Sequence, residues 1–283
     1  MNRQKSFWVL GGDLRQMHLA RLLERDGHSV CTYAMEHSTR TTLEGIDRAT
    51  CVVFPMPLCS SPGVLFAPMS DRMHPLAPIL DALSPNSLLC GGRIDTATLA
   101  LFAQRHLPLQ DYFRREELTV ANAIATAEGA VQLAMEQLPV TVHNLEMLVL
   151  GYGRVGTLTA QRFGALGARV SVAARSCTQL TWADAAGHFA LPLDRLDTAL
   201  GGCSLIVNTI PAPILTAPLL AQVPPHCLIL DLASLPGGVD RQAAQQLGLQ
   251  VIHALALPGK VAPESAGGYI RDTIYHILRQ EGK

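Results

Sequence analysis

The chain has 283 residues, 48% of them hydrophobic and 16% charged, with a formal net charge of -1. That length suits one large or two modest domains with proper cores, and the composition suits a buried parallel sheet and excludes a disordered chain. Near-neutrality removes any bulk attraction to nucleic acid or an anionic membrane, so an anionic ligand must be caught by local Arg, Lys or backbone N–H groups.

In chain order, Met1 to Ser6 is polar and the apolar run Phe7 to Leu10 is too short for a signal peptide. Phe7 to Leu10 reads as a strand, Gly11-Gly12 as a turn, and Asp13 as the cap of a helix over 14–25 that Gly27 ends. His28 to Tyr33 and Cys51 to Phe54 read as further strands. The stretch from Ala49 to Ser70 carries no charge, yet Pro55, Pro57, Pro62 and Pro68 break it. A strand running into a long loop fits better than a membrane span. Ser87 to Cys90, ending at Gly91-Gly92-Arg93, is a fourth strand, followed by a helix over 96–105. This α/β alternation favours a mostly parallel sheet. Asp13 and Arg15 sit at a strand's carboxyl end, where such sheets bind ligands, although a plain helix cap and a first-turn charge explain them equally well.

Glu117 to Leu138 reads as one long helix with Val120, Ile124, Ala127, Val131, Ala134 and Leu138 on one face, closed by Pro139. Its segment Ala125-Thr126-Ala127-Glu128-Gly129 is built of small residues, as expected where a helix runs close to a backbone or a ligand. This helix connects two domains. The seven cysteines (31, 51, 59, 90, 177, 203, 227) show no C-x-x-C and no histidine at ligand spacing, which reads as reduced thiols of a cytosolic protein without a metal site.

The strongest motif follows. The apolar run Met147 to Leu150 ends in Gly151-Tyr152-Gly153-Arg154-Val155-Gly156, a helical pattern runs to Gly167, and a second apolar run covers Val170 to Ala174. In this strand–turn–helix–strand frame, G-x-G-x-x-G predicts a dinucleotide site. Gly151 permits the tight turn, Gly153 lets the backbone approach a pyrophosphate, and Gly156 lets helix and strand pack closely. The diphosphate rests on the helix N-terminus. NAD sites place an acid at the end of the second strand; here Arg175-Ser176 stand there, offering a guanidinium and a hydroxyl to a 2′-phosphate, so the expected cofactor is NADP.

Three more strands, Ser204 to Asn208, Cys227 to Leu230 and Gln250 to Ala254, end in turn chemistry: Thr209-Ile210-Pro211, Asp231 to Gly238, and Leu257 to Pro263. In a doubly wound sheet these ends line the cofactor edge, which makes Thr209, Ile210, Pro211, Ala233, Ser234 and Pro258 candidate contacts beside Gly151, Gly153, Arg154, Val155, Gly156, Arg175 and Ser176. Ala266 to Arg279 is a last amphipathic helix.

Taken together, Gly-Gly-Asp-Leu-Arg-Gln at 11–16, Thr-Ala-Glu-Gly-Ala at 126–130, the glycine turn, Ala-Arg-Ser at 174–176, Asn-Thr-Ile-Pro-Ala at 208–212, Asp-Leu-Ala-Ser-Leu-Pro-Gly-Gly at 231–238 and Leu-Pro-Gly-Lys-Val-Ala-Pro at 257–263 resemble the dipicolinate synthase A-subunit family. They span nearly the whole chain in the family's order. One departure is Ala125, where the family usually has Pro. The resemblance implies two Rossmann-like, doubly wound α/β domains with a cleft between them, similar to formate/glycerate dehydrogenases: residues 1–118 on the substrate side, 119–263 for NADP, and a helix over 264–283 packed back on the first. It further implies oxidation of dihydrodipicolinate to dipicolinate with NADP+, alongside the dipicolinate synthase B-subunit, in the mother-cell cytoplasm of a spore former.

A small ring with two carboxylates calls for cationic and hydroxyl contacts. Asp13, Arg15, Arg93, Ser234 and Lys260 are the candidates, with Glu128 or Lys260 as possible catalytic groups. Two other readings stand beside this one. A 2-hydroxyacid dehydrogenase needs an Arg in the loop at 233–238 and a His–carboxylate pair. The loop has no Arg, and His253 reads as a packed strand histidine. A non-catalytic NADP-binding partner, with or without homo-oligomers, is the alternative of a different class.

Overall fold

The computed structural model describes residues 4–282 and divides into two compact units, one running to Asn122 and resuming at Ala262, the other Ala123–Val261.

The first unit contains, in order, β1 (Ser6–Leu10), α1 (Leu14–Arg25), β2 (Ser29–Tyr33), β3 (Cys51–Val53), β4 (Cys59–Ser61), β5 (Val64–Leu65), α2 (Leu76–Asp81), β6 (Leu88–Gly91), α3 (Thr96–Ala103), β7 (Leu109–Asp111) and the start of α4 (Glu116–Gln137). Five strands pair in parallel in the order β2-β1-β3-β6-β7. Consecutive apolar residues in β1 explain why. Phe7 and Val9 point to one face and Trp8 and Leu10 to the other, all nearly fully buried, so both faces need cover. Leu19, Ala20 and Leu23 of α1 cover the first face together with Ile270, Ile274, Ile277 and Leu278 of the closing helix. Leu76, Ile79 and Leu80 of α2 and Phe102 of α3 cover the second. Strand direction of growth reverses between β1 and β3, which opens a crevice at their carboxyl ends.

The second unit continues with β8 (Glu146–Leu150), α5 (Arg154–Ala165), β9 (Arg169–Ala174), α6 (Cys177–Ala185), β10 (Phe189–Pro192), α7 (Asp197–Leu200), β11 (Leu205–Asn208), α8 (Ala217–Leu220), β12 (Leu228–Asp231), α9 (Arg241–Gln246), β13 (Gln250–His253) and α10 (Leu257–Val261); α11 (Pro263–Gln280) is the closing helix of the first unit. Its six parallel strands run β10-β9-β8-β11-β12-β13, the 3-2-1-4-5-6 order of a dinucleotide-binding sheet. Met147 and Val149 face α4 and α5 (Ala130, Ala134, Ala160, Phe163), while Leu148, Ile206 and Ile229 face Leu200, Leu220, Ala243 and Ala244.

Several elements differ from the sequence expectation. The loop expected after the third strand contains the antiparallel hairpin β4–β5 and the short α2. The weakly patterned stretch at 176–200 folds into α6, β10 and α7, and the expected turn at 257–263 holds the one-turn α10. These pieces are too short for a periodic signal. In α4 the buried side is set by small residues: Ala123, Ala127, Ala130 and Ala134 are buried, whereas Val120 is exposed. Gly129 explains that choice, because a Cβ there would already stand 3.2 Å from Leu257. Among the described residues no helix is long and apolar enough to cross a membrane.

Candidate functional site

The second unit's sheet reverses between β8 and β11, and the residues there form a continuous edge. Gly151 leaves β8 with φ +90°, a conformation that favours glycine, and a Cβ would meet Thr209 Oγ1 at 2.7 Å. Gly156 lies one turn into α5, where a Cβ would stand 2.1 Å from Gly151 O, so the helix can approach the turn only without a side chain. Gly153 faces open space. The turn is therefore closed on the protein side and open on the side where the first N–H groups of α5 point. Gly153 O accepts from Thr157 N at 2.8 Å and starts that helix. Arg154 is exposed and Val155 half-buried on its first turn.

The opposite wall is Thr209-Ile210-Pro211. Thr209 donates from both N (2.9 Å) and Oγ1 (2.8 Å) to Leu150 O, which pins it against the glycine turn. Ile210 Cγ1 lies within contact of Gly151, and Pro211 is exposed. At the end of β9, Arg175 and Ser176 are both exposed, and Ser176 precedes α6 without a side-chain capping bond.

Beyond this wall lies a polar row that sequence reasoning did not single out. Asn208, Asp231 and His253 occupy one register layer at the carboxyl ends of β11, β12 and β13. Asn208 and Asp231 are buried, at 0% and 1% exposure. Asp231 accepts from Asn208 Nδ2 (2.8 Å), Ala233 N (3.2 Å) and Gly238 N (2.9 Å). Asn208 also donates to Ile210 O at 3.0 Å and accepts from Ile210 N at 3.1 Å. One carboxylate and one amide thus fix both loops of the edge, 209–212 and 232–238. His253 is half-buried and engaged at both nitrogens, with Ala233 O (2.8 Å) and with Arg241. Within the fixed loop Ala233 is buried, while Ser234 and Leu235 are exposed at its tip. Pro258 is half-buried on α10, and Lys260 on the same helix is exposed. The signal for the polar row was in the sequence as Asn and Asp closing two otherwise apolar strands.

Glu128 is exposed and sits 3.6 Å from Arg162 in an ion pair. Arg162 lies eight residues along α5 from Arg154, roughly 12 Å down the helix axis from the glycine turn.

In the first unit, the crevice between β1 and β3 holds Asp13 and Arg15. Asp13 caps α1 by accepting from Arg15 N at 3.1 Å, as its position before the helix predicts. Its carboxylate also chelates the Arg15 guanidinium, from Nε at 2.8 Å and Nη2 at 2.7 Å. Arg15 is only 7% exposed, and Nη2 donates a further bond to Met56 O, just beyond β3, at 2.7 Å. This Arg is a built-in, charge-compensated fixture rather than a first-turn surface charge. Arg93 follows β6, the next strand, and is exposed in the left-handed region at φ 53°. Behind it, Gly91-Gly92 are buried against Leu58, Met56 and Tyr112, and the Tyr112 hydroxyl donates to Phe54 O at 2.9 Å. Complete burial pushes the Tyr112 pKa up, so that hydroxyl stays a donor.

A parallel 3-2-1-4-5-6 sheet with a glycine turn at its reversal, joined in one chain to a second parallel sheet, places this fold with the dehydrogenases. An L-alanine dehydrogenase shares the fold at 16% identity and a TM-score of 0.66, over 98% of this chain and 90% of that one. A family model described as the N-terminal domain of the dipicolinate synthase A-subunit matches residues 6–113. The chain is 31% identical to the dipicolinate synthase A-subunit of Bacillus subtilis (strain 168), over 97% of each. It also superposes on the crystal structure of the dipicolinate synthase A-subunit from Bacillus halodurans, with 27% identity, a TM-score of 0.89 and 97% of each chain covered. The chain belongs to the dipicolinate synthase A-subunit family.

Proposed function

We propose that this protein oxidises dihydrodipicolinate to dipicolinate with NADP+, in company with a second subunit. The observation that carries the reading is the glycine turn of the second unit, sterically closed at Gly151 and Gly156 and open at Gly153, in a chain of this family. That cradle fits a dinucleotide diphosphate: Gly153 and the N–H groups opening α5, at Arg154 and Val155, would hold it. Bound there, the oxidised nicotinamide supplies the hydride acceptor.

What the chain's own residues contribute is position and charge. Thr209, Ile210 and Pro211 form one wall of the cofactor edge, and Ala233, Ser234 and Pro258 continue it. Arg175 and Ser176 are free to meet a ribose 2′-phosphate, which selects NADP over NAD. Asp13 holds the Arg15 guanidinium so that its remaining edge can take a substrate carboxylate. Arg93, Ser234 and Lys260 are exposed groups of the right chemistry for the other carboxylate. Aromatisation of the ring supplies driving force, so holding the substrate is the larger part of the task. Glu128, exposed and paired with Arg162, and Lys260 are the candidate catalytic groups. The Asp231 carboxylate is saturated by donors and serves to hold the loops that present Ala233 and Ser234.

The test is an assay of the full chain with NADP+ and dihydrodipicolinate, followed by absorbance of the reduced cofactor. Turnover by the chain, alone or increased by the second subunit, is the expected result. Reduced cofactor formed by the second subunit equally well without this chain would overturn it. Arg175→Ala should weaken NADP binding about tenfold or more and leave NAD binding nearly unchanged, consistent with loss of one charge-assisted contact worth about 1.5–3 kcal/mol. Equal loss for both cofactors would remove Arg175 from the site.

A further inference from the structure

The peptide that joins Ala233 to Ser234 is fixed through its carbonyl and free at its N–H. Ala233 O lies 2.8 Å from His253 Nε2. A carbonyl oxygen only accepts, so Nε2 carries the proton of the ring. The other nitrogen, Nδ1, meets the Arg241 guanidinium, which only donates, so Nδ1 keeps its lone pair. Partners at both ends of the imidazole thus select one neutral tautomer. The ring also packs on the loop it holds: a Cβ on Gly237 would stand 3.3 Å from His253 Cε1. A trans peptide is planar, with its N–H opposite to its C=O. Because the Ala233 carbonyl turns to His253 on the edge strand β13, the Ser234 N–H points away from that strand; β11 and β8, with the glycine turn, lie on the other side of β12. Within the loop, Leu232, Ala233, Gly237 and Gly238 already donate their N–H groups to Asn208 O, Asp231 Oδ1, Ser234 O and Asp231 Oδ2, and Pro236 has none. The Ser234 N–H has no hydrogen-bond partner among the described residues, and Ser234 is exposed.

We propose that the Ser234 backbone N–H is a ligand-binding donor of the cofactor edge, and that His253 is the positioning residue that aims it. The inference rests on the functional reading given above and deepens it. A single aimed N–H calls for a carbonyl-type oxygen as its acceptor. Two groups of that reading carry one: the carboxamide of a nicotinamide and a carboxylate of a ring substrate. His253 contributes direction rather than a contact of its own. A loop N–H that must turn to find its acceptor loses affinity to ordering, whereas one held in place by a hydrogen bond behind it does not. Arg241 acts one step further back, since its donor keeps the proton off Nδ1 and therefore on the nitrogen that faces Ala233 O.

The experiment is calorimetry on the full chain, first with NADP+ and then with pyridine-2,6-dicarboxylate at saturating NADP+, for wild type, His253→Met and His253→Gln. Met fills the space without a donor, and Gln carries an N–H at about the reach of Nε2. His253→Met should weaken one of the two ligands about tenfold, the size of one oriented hydrogen bond, and His253→Gln should restore it to within about threefold. Loss on NADP+ assigns the carboxamide as the acceptor, and loss on the dicarboxylate assigns the carboxylate. A merely structural His253 would lower the melting temperature of the variants and leave both affinities in place. Unchanged affinities in His253→Met overturn the inference, and so does an equal loss in the two variants. A second measurement needs no variant to bind: NMR of the wild type made with nitrogen-labelled serine follows the Ser234 amide, assigned by its loss in Ser234→Ala. That amide should exchange quickly with solvent in the free chain and about tenfold or more slowly with the assigned ligand bound. An amide that responds to neither ligand overturns the inference while the functional reading stands. A wild type that binds neither NADP+ nor the dicarboxylate overturns that reading and the inference with it.

Discussion

At the residue scale, steric closure and buried hydrogen bonds make the sharpest predictions. Gly156→Ala places a Cβ 2.1 Å from Gly151 O, and backbone cannot yield as a flexible side chain does. It should lower stability by about 1–3 kcal/mol and reduce dinucleotide affinity together, read by melting and by cofactor titration. Gly153→Ala meets nothing within 4 Å in the protein, so it should melt normally and lose dinucleotide affinity alone. If the two variants behave alike, the division into a closed and an open side is wrong. Asp231→Ala leaves Asn208 Nδ2, Ala233 N and Gly238 N without their shared acceptor. The expected loss is on the order of 3 kcal/mol or more in chemical denaturation, larger than for the exposed Ser234→Ala. Much of this was legible in the sequence. G-x-G-x-x-G carries its steric reasons in its spacing, and Asp13 stands where a cap belongs. Asn208 and Asp231 were visible only as polar strand ends, because their partners lie 23 residues apart and meet through strand pairing. Gln16 stands in the sequence only as the last residue of the segment 11–16; its burial was not legible, because an amide inside a helix pattern reads as a solvated position until the fold encloses it.

At the element scale, α11 shows what pattern can and cannot tell. Its isoleucine spacing marks an amphipathic helix, and Ile270, Ile274 and Ile277 do enter the first unit's core. The adjacent Gly267 and Gly268 look alike in sequence and differ in the fold. A Cβ on Gly267 would stand 2.7 Å from Arg15 O and 2.9 Å from Leu19 N, whereas the nearest atom to one on Gly268 is Leu22 Cδ1 at 3.8 Å. Gly267→Ala should therefore push α11 off α1 and cost about 1–3 kcal/mol. Gly268→Ala should be neutral or stabilising by up to about 1 kcal/mol, through higher helix propensity. Melting curves of the two single variants check this, and equal destabilisation would refute the close crossing. Because Arg15 O is the atom displaced, Gly267→Ala should also disturb the Asp13–Arg15 fixture from behind. Among the elements that escaped sequence reading, β4, β5, α2 and α10 are two to six residues long and are fixed by tertiary contacts rather than by their own periodicity.

At the scale of the whole molecule, two sheets fold in one chain, and protonation should weaken both in the same pH range. Burial lowers the pKa of His28 and His74 in the first unit and of His188 in the second; for His28, Asp26 partly offsets this, and for His74, Arg72 adds to it. Each imidazole is therefore neutral in the fold at pH values where the unfolded chain, titrating near 6.5, already takes up a proton. The unfolded state binds more protons, so stability is full above about 6.5 and falls as pH drops through the lowered folded values. The carboxylates act in a separate, lower window. Asp95 is held down by the Thr98 backbone N–H and Glu117 by its own backbone N–H and Arg115, so their contribution is lost only as pH falls below about 4. Urea titrations at pH 7.5 and 5.5 isolate the histidine range from the carboxylate range. The midpoint should be lower at pH 5.5, and hydrogen exchange should speed up in core peptides of both units. His188→Gln should abolish that acceleration in the second unit alone, because the replacement carries no proton to gain, while the first unit keeps its dependence through His28 and His74. A midpoint unchanged between the two pH values would mean that the three rings are solvated enough in the fold to titrate as they do unfolded.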